Sequence, residues 1–148
     1  LINQPFTQDE KYIRYEASAK IVLVDFDGTI CKFSYPAMGK PLKGARYFMK
    51  GLIDRGFQPV IWSCRMSPEH YTDEERFTSM AKIAKWCEEH KIPYHSIDDG
   101  NMGKRLCLAY VDDRGVHANG NFDAMLRRVD QIHEEVERSH RERRAKKK

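Results

Sequence analysis

The sequence predicts an α/β fold with a mainly parallel central sheet. Three observations predict it. Short apolar runs at 21–24, 58–62 and 106–111 do not alternate with polar residues, which suits strands buried on both faces of a parallel sheet. Helical stripes with capping signals stand between the runs, giving the order strand, helix, strand, helix, strand, strand, helix. Three of the runs also end in polar residues: Asp25/Asp27, Ser63 and Asp112/Asp113. In such sheets ligands bind beyond the carboxyl ends of the strands, where strand order reverses.

Taken in order, Leu1 to Ser18 carries Tyr12, Ile13, Tyr15 and scattered charges and reads as an N-terminal arm or a short edge strand. Ile21 to Val24, followed by Asp25, is the first core strand. Ile30 to Leu42 holds Pro36, Gly39 and Pro41 and reads as a loop. Lys43 to Arg55 places Ala45, Phe48, Met49, Leu52 and Ile53 on a helical stripe, with Gly56 where a helix C-cap belongs. Gln58 to Trp62 is a second buried strand. Thr72 and Glu75 form a capping box. The helix they open runs to about Glu89, with Phe77, Met80, Ala81, Ala84 and Cys87 on one face, and Pro93 prevents its continuation. Tyr94 to Ile97 is a short third strand, and Asp98 to Lys104 a turn. Leu106 to Val111 is a fourth buried strand. Asn121 to about Arg144 reads as a helix with Phe122, Met125, Leu126, Val129, Ile132 and Val136 on its stripe. There is no internal repeat.

The chain has 148 residues, enough for one domain with a proper core. Its hydrophobic fraction of 41% is ordinary for a globular protein. No apolar run approaches a membrane span, and Leu1 to Ser18 lacks the apolar segment of a signal peptide. The net charge of +4 is unevenly spread. Residues 138–148 hold seven Lys or Arg and one acid, for +6, which leaves the rest at −2. Cys31, Cys64, Cys87 and Cys107 make no Cys-x-x-Cys pair, which argues against zinc. They point to a reducing, cytoplasmic setting. Cys64 has no His in a recognisable partner motif and reads as a packing residue.

Two acids at the end of a buried strand cost free energy unless they have a partner. A divalent cation is the simplest partner, and an oxygen-rich site suits Mg2+. An Asp-Gly turn alone would explain an isolated Asp-x-Asp-Gly. Three further pieces downstream favour the metal.

Together these residues resemble the haloacid dehalogenase (HAD) superfamily of phosphohydrolases. Asp25-Phe26-Asp27-Gly28-Thr29 is similar to its first motif, Ser63 to the second, and Asp112-Asp113 to the fourth. Lys104 stands for the third, with Lys82, Lys85 and Lys91 as alternatives. The resemblance spans about Ile21 to Gly115. It implies a three-layer Rossmann-like core and a Mg2+-dependent phosphatase working through an aspartyl-phosphate. Asp25 would attack phosphorus. The ion would be held by Asp25, the backbone carbonyl of Asp27, and Asp112 or Asp113. The Asp27 side chain would protonate the leaving oxygen and then deprotonate water. Ser63 would donate to a phosphoryl oxygen, and Lys104 would neutralise charge on Asp25 and the transferring group. Asp27 argues against dehalogenation, whose enzymes lack the second acid. Arg65 and Arg114 adjoin the motifs; they either bind substrate phosphate or base, or pair with nearby acids. A receiver domain gathers similar groups, but there the adjacent acidic pair follows the first strand and the phosphorylated Asp the third. Here the order is reversed.

The expected organisation is an arm at 1–18, a catalytic domain at 19–137 without a cap insertion, and a basic tail at 138–148. By the same resemblance, a capless site suits bulky phosphorylated substrates such as proteins or nucleic-acid ends, with small phosphorylated metabolites and nucleotides also open. Two other readings stand beside the phosphatase. One is a non-catalytic metal- or phosphate-binding module. The other is a nucleic-acid end phosphatase that uses the tail's charge. Without interleaved aromatic residues, that tail does not suggest base stacking.

Overall fold

The computed structural model describes residues 4–148; the first three residues of the expected arm lie outside them. The chain divides into two compact units, one ending at Asp113 and the other spanning Arg114–Lys148. The first unit holds a four-stranded sheet of β1 (Ile21–Val24), β2 (Gln58–Ile61), β3 (Ser96–Ile97) and β4 (Ala109–Val111), ordered β3-β2-β1-β4. Every pairing is parallel. This is the expected α/β fold. The chain steps outward from β1 to β2 to β3, then returns to the other side of β1 for β4. The reversal therefore falls between β1 and β4, each of which ends in carboxylates.

Residues 8–17 form helix α1 (Gln8–Ala17), not an edge strand. Its start is a complete capping box, in which Thr7 Oγ1 accepts from the Glu10 amide and Glu10 accepts from the Thr7 amide. The aromatic residues that suggested a strand lie on its exposed surface: Tyr12 and Tyr15 are both more than half exposed.

Helix α2 (Ala45–Asp54) buries Ala45 and Met49. It ends in a Schellman motif: Phe57 N–H reaches Leu52 O and Gly56 N–H reaches Ile53 O, with Gly56 at φ +84°. Helix α3 (Asp73–Glu89) opens on the Thr72/Glu75 capping box, as the spacing predicts. Its buried face differs from the expected one. Ile83, Trp86 and Cys87 are buried, with Met80 partly so, while Phe77 and Ala81 are exposed. Ile83 and Trp86 lie three apart, and their burial turns the inward face of the helix away from the Phe77 side.

The core gathers Val22, Val24, Phe26, Ile30, Met49, Ile61, Met66, Ile83 and Trp86 around β1 and β2. Phe26 is wholly buried and meets Trp86 edge-on, ring centroids 4.9 Å apart. Residues alternate along an extended segment, so a buried Phe26 leaves Asp25 and Asp27 to its other side. The expected fourth buried strand is corrected. Among the described residues β4 is a sheet edge with a strand neighbour on one side only, and Leu106, Leu108 and Tyr110 are each at least two-fifths exposed. β3 is also shorter than expected.

The second unit contains helix α4 (Phe122–Lys146), capped by Asn121, whose side chain accepts from the Ala124 amide. The basic residues of the expected tail continue this helix through Lys146. No helix among the described residues is long and apolar enough to cross a membrane.

Helix α3 ends in the same Schellman pattern as α2, with Ile92 N–H on Cys87 O and Lys91 N–H on Glu88 O. Here a lysine, Lys91, occupies the left-handed position at φ 55°, which carries a Cβ penalty of roughly 1 kcal/mol. Lys91→Gly is expected to raise unfolding stability by about 0.5–1 kcal/mol in a denaturant titration.

Candidate active site

Asp25 follows the central strand, and its N–H bonds to Val111 O of the neighbouring β4. On the other side Trp62 N–H bonds to Val24 O. The ladder thus carries Asp25, Ser63 and Asp112/Asp113 to one sheet edge. Carboxylate oxygens of Asp25, Asp112 and Asp113 lie within 4.8 Å of one another. Close approach of Asp113 depends on Gly28, at φ +82°: a Cβ there would stand 2.3 Å from Asp113 Oδ2. Gly28 is therefore required both for the turn and for the cluster.

Burial, reinforced by the charges of Asp112 and Asp113, pushes the Asp25 carboxyl up to about 7. A hydrogen bond from Thr29 Oγ1, 3.2 Å from Asp25 Oδ2, opposes this in part. Three carboxylates crowded at this spacing favour a shared proton or a cation. An all-oxygen donor set of this kind can hold a hard divalent ion such as Mg2+.

Asp27 is buried and sits apart from this cluster. Its two oxygens accept from Arg65, Nε at 2.7 Å and a terminal nitrogen at 2.8 Å. Arg65 is itself buried. Its remaining bonds go to the carbonyls of Pro36 (2.8 Å) and Ala37 (2.9 Å). Of the two readings open for Arg65, this arrangement is the pairing with a nearby acid. The guanidinium pins the loop between β1 and α2 onto Asp27. That loop is fastened elsewhere too: Lys32 N–H reaches Lys40 O, Leu42 N–H reaches Ile30 O, and Trp86 Nε1 donates to Gly39 O at 2.9 Å. It contains a cis Tyr35–Pro36 peptide.

Ser63 is buried, and its Oγ accepts from the Arg65 amide at 3.1 Å, capping the short 3-10 turn Cys64–Met66. Its hydroxyl proton remains a donor for a ligand. Lys104 is exposed, with Nζ 5.8 Å from the centre of the Tyr110 ring. Cys64 keeps surface in solvent, yet partial desolvation of its thiol, with the charges of Asp25 and Asp27, pushes it up, which disfavours the thiolate a nucleophile needs.

The sequence reading passed over two features. Asp98, after β3, is buried and accepts from Arg105 at 2.9 Å and from the Gly100 amide at 2.8 Å. Asp98-Asp99-Gly100 was visible as a turn, but its pairing with Arg105, seven residues on, was not. Tyr35 and Tyr71 touch through their hydroxyls across 36 residues of chain, a pairing with no local signal.

No protein-family model matches the chain, and no curated protein matches it. Among solved structures it is similar to a conserved protein from Bacteroides thetaiotaomicron, at 22% identity and a TM-score of 0.47, over 79% of this chain and 92% of that one. It is also similar to a protein from Vibrio cholerae, at 22% identity and a TM-score of 0.47, over 76% of this chain and 98% of that one.

The state of Asp25 sets a pH dependence. Well below the ordinary value of 3.8 its carboxyl is protonated in the folded and unfolded chain alike. As pH rises from the ordinary value of 3.8 towards 7, only the unfolded chain gives up this proton. Stability therefore falls across that window, by on the order of 3–4 kcal/mol. Asp25→Asn is expected to melt above the unsubstituted protein at pH 8 in chelator. The two melting curves should converge towards pH 4 in a thermal series.

Proposed function

We propose that this chain is a Mg2+-dependent phosphomonoester hydrolase of the HAD type. The observation that carries the reading is the meeting of Asp25, Asp112 and Asp113 at the reversal of strand order, with their oxygens within 4.8 Å. The all-carboxylate donor set and the Gly28 cradle fit the ion. Asp25 and one or both of Asp112 and Asp113 would hold it, and when bound it supplies positive charge against which an anionic ester can approach a carboxylate.

The residues then divide the work. Asp25 attacks phosphorus, and the ester oxygen departs as an aspartyl-phosphate forms. Water later cleaves that acyl phosphate. Ser63, at the end of the neighbouring strand, offers its hydroxyl to a phosphoryl oxygen. Lys104 is the candidate for neutralising the transferring group, and it has to leave the face of Tyr110 to do so. Asp27 is the candidate acid and base, which needs one of its oxygens released from Arg65 first. The charge that Arg65 carries can follow a substrate phosphate, and that exchange would free Asp27.

The forked Arg65–Asp27 pair also favours a second reading: a module that binds metal or phosphate without turnover. The two differ in phosphate release. With Mg2+, the hydrolase reading expects turnover of an aryl phosphate, reduced at least about a thousandfold in Asp25→Asn and abolished by chelator. Binding of Mg2+ without release of phosphate from any substrate supports the module. Full activity in Asp25→Asn removes it as the nucleophile.

A further inference from the structure

A cavity of about 450 Å³ lies between the loop after β1 and the first turns of α3. Its volume is in the range of small-molecule sites and is more than a phosphoryl group needs. Tyr35, Met38, Arg65, Tyr71, Glu74 and Lys82 are among the residues that line it. The two tyrosines meet at their hydroxyls, so each restrains the other. The Arg65 guanidinium lies 5.0 Å from the centre of the Tyr35 ring, which further holds that ring in place. The same guanidinium binds Asp27. The cavity is thus joined through Arg65 to Asp27, two residues past the candidate nucleophile.

We propose that this cavity seats the leaving group of the substrate, and that the leaving group is a nucleoside, so that the substrate is a nucleoside monophosphate. The inference rests on the hydrolase reading above. Held aromatic rings offer a face to any nucleobase, which a sugar or glycerol phosphate would not use. Glu74 and Glu75 bring negative charge to the wall. Lys82 and Arg65 offset it, and Arg65 is already committed to Asp27. A wall with this balance suits a neutral group rich in hydrogen-bonding atoms and disfavours a second phosphate. That selects a monophosphate over a di- or triphosphate. The shared chemistry admits two sources, a free nucleotide and the terminal nucleotide of a strand.

The test compares kcat/KM, with Mg2+, for adenosine 5′-monophosphate, a 5′-phosphorylated oligonucleotide and acetyl phosphate, which has no ring to seat. Tyr71→Ala is expected to lower the ratio of nucleotide to acetyl phosphate kcat/KM about tenfold, the worth of one base stack, mainly through KM. Tyr71→Phe, which keeps the ring, should restore most of that ratio. Faster turnover of the oligonucleotide than of the free nucleotide names the strand end as the source, and the converse names the nucleotide. A ratio that stays within twofold in Tyr71→Ala overturns the proposal. So does an unsubstituted protein that hydrolyses acetyl phosphate with no preference for either nucleotide substrate, and that result leaves the hydrolase reading standing. If neither class turns over but an aryl phosphate does, the proposal is overturned and the hydrolase reading stands; if no substrate releases phosphate, the hydrolase reading fails and the proposal falls with it.

Discussion

Mutual repulsion among Asp25, Asp112 and Asp113 is the constraint on which the site depends. Like charges this close are kept only where the surrounding structure forces them together. The forcing is done by backbone. β1 is central, so the chain ends leaving β1 and β4 are neighbours, and the Asp25 N–H to Val111 O bond fixes their separation. Gly28 removes the one atom that would block Asp113. Phe26, wedged against Trp86, keeps the intervening residue in the core and prevents the segment from twisting its acids away. The hydrophobic contacts around β1 and β2 supply the free energy that the crowded carboxylates cost.

Arg65 is the second fixed point. A buried guanidinium is stable only when its hydrogen bonds are met, and here a carboxylate and two carbonyls meet them. One side chain thereby joins the end of β2, the acid two residues past Asp25, and the loop that walls the cavity. Any ligand that draws on Arg65 acts on all three. This coupling makes the loop between β1 and α2, although short, the part of the fold best placed to sense what occupies the site.

The parts written locally were legible. An apolar run ending in Asp-Phe-Asp-Gly announces both a strand and its anomaly, and Thr72 with Glu75 announces the start of α3. The same logic would have found α1, since Thr7 and Glu10 have that spacing; its aromatic residues drew attention to the strand alternative instead. Features set by partners far along the chain were not legible. Nothing near Arg65 tells whether it faces a ligand or Asp27, 38 residues away. Nothing in Leu106 to Val111 says that its strand falls at an edge, because strand order is a property of the whole sheet. The buried face of α3 was misread because Phe77 and Ile83 are equally apolar, and only packing against Phe26 and the loop chooses between them. The Tyr35–Tyr71 contact belongs to the same class.

The central claim is that the three clustered carboxylates form a cation site whose occupancy competes with the proton on Asp25. Calorimetric titration of Mg2+ at pH 7, repeated in two buffers of different ionisation enthalpy, tests it most directly. The account predicts one binding site per chain with release of a fraction of a proton, and loss of both in Asp112→Asn/Asp113→Asn. Absence of binding in the unsubstituted protein, or binding undiminished in that double variant, would contradict it.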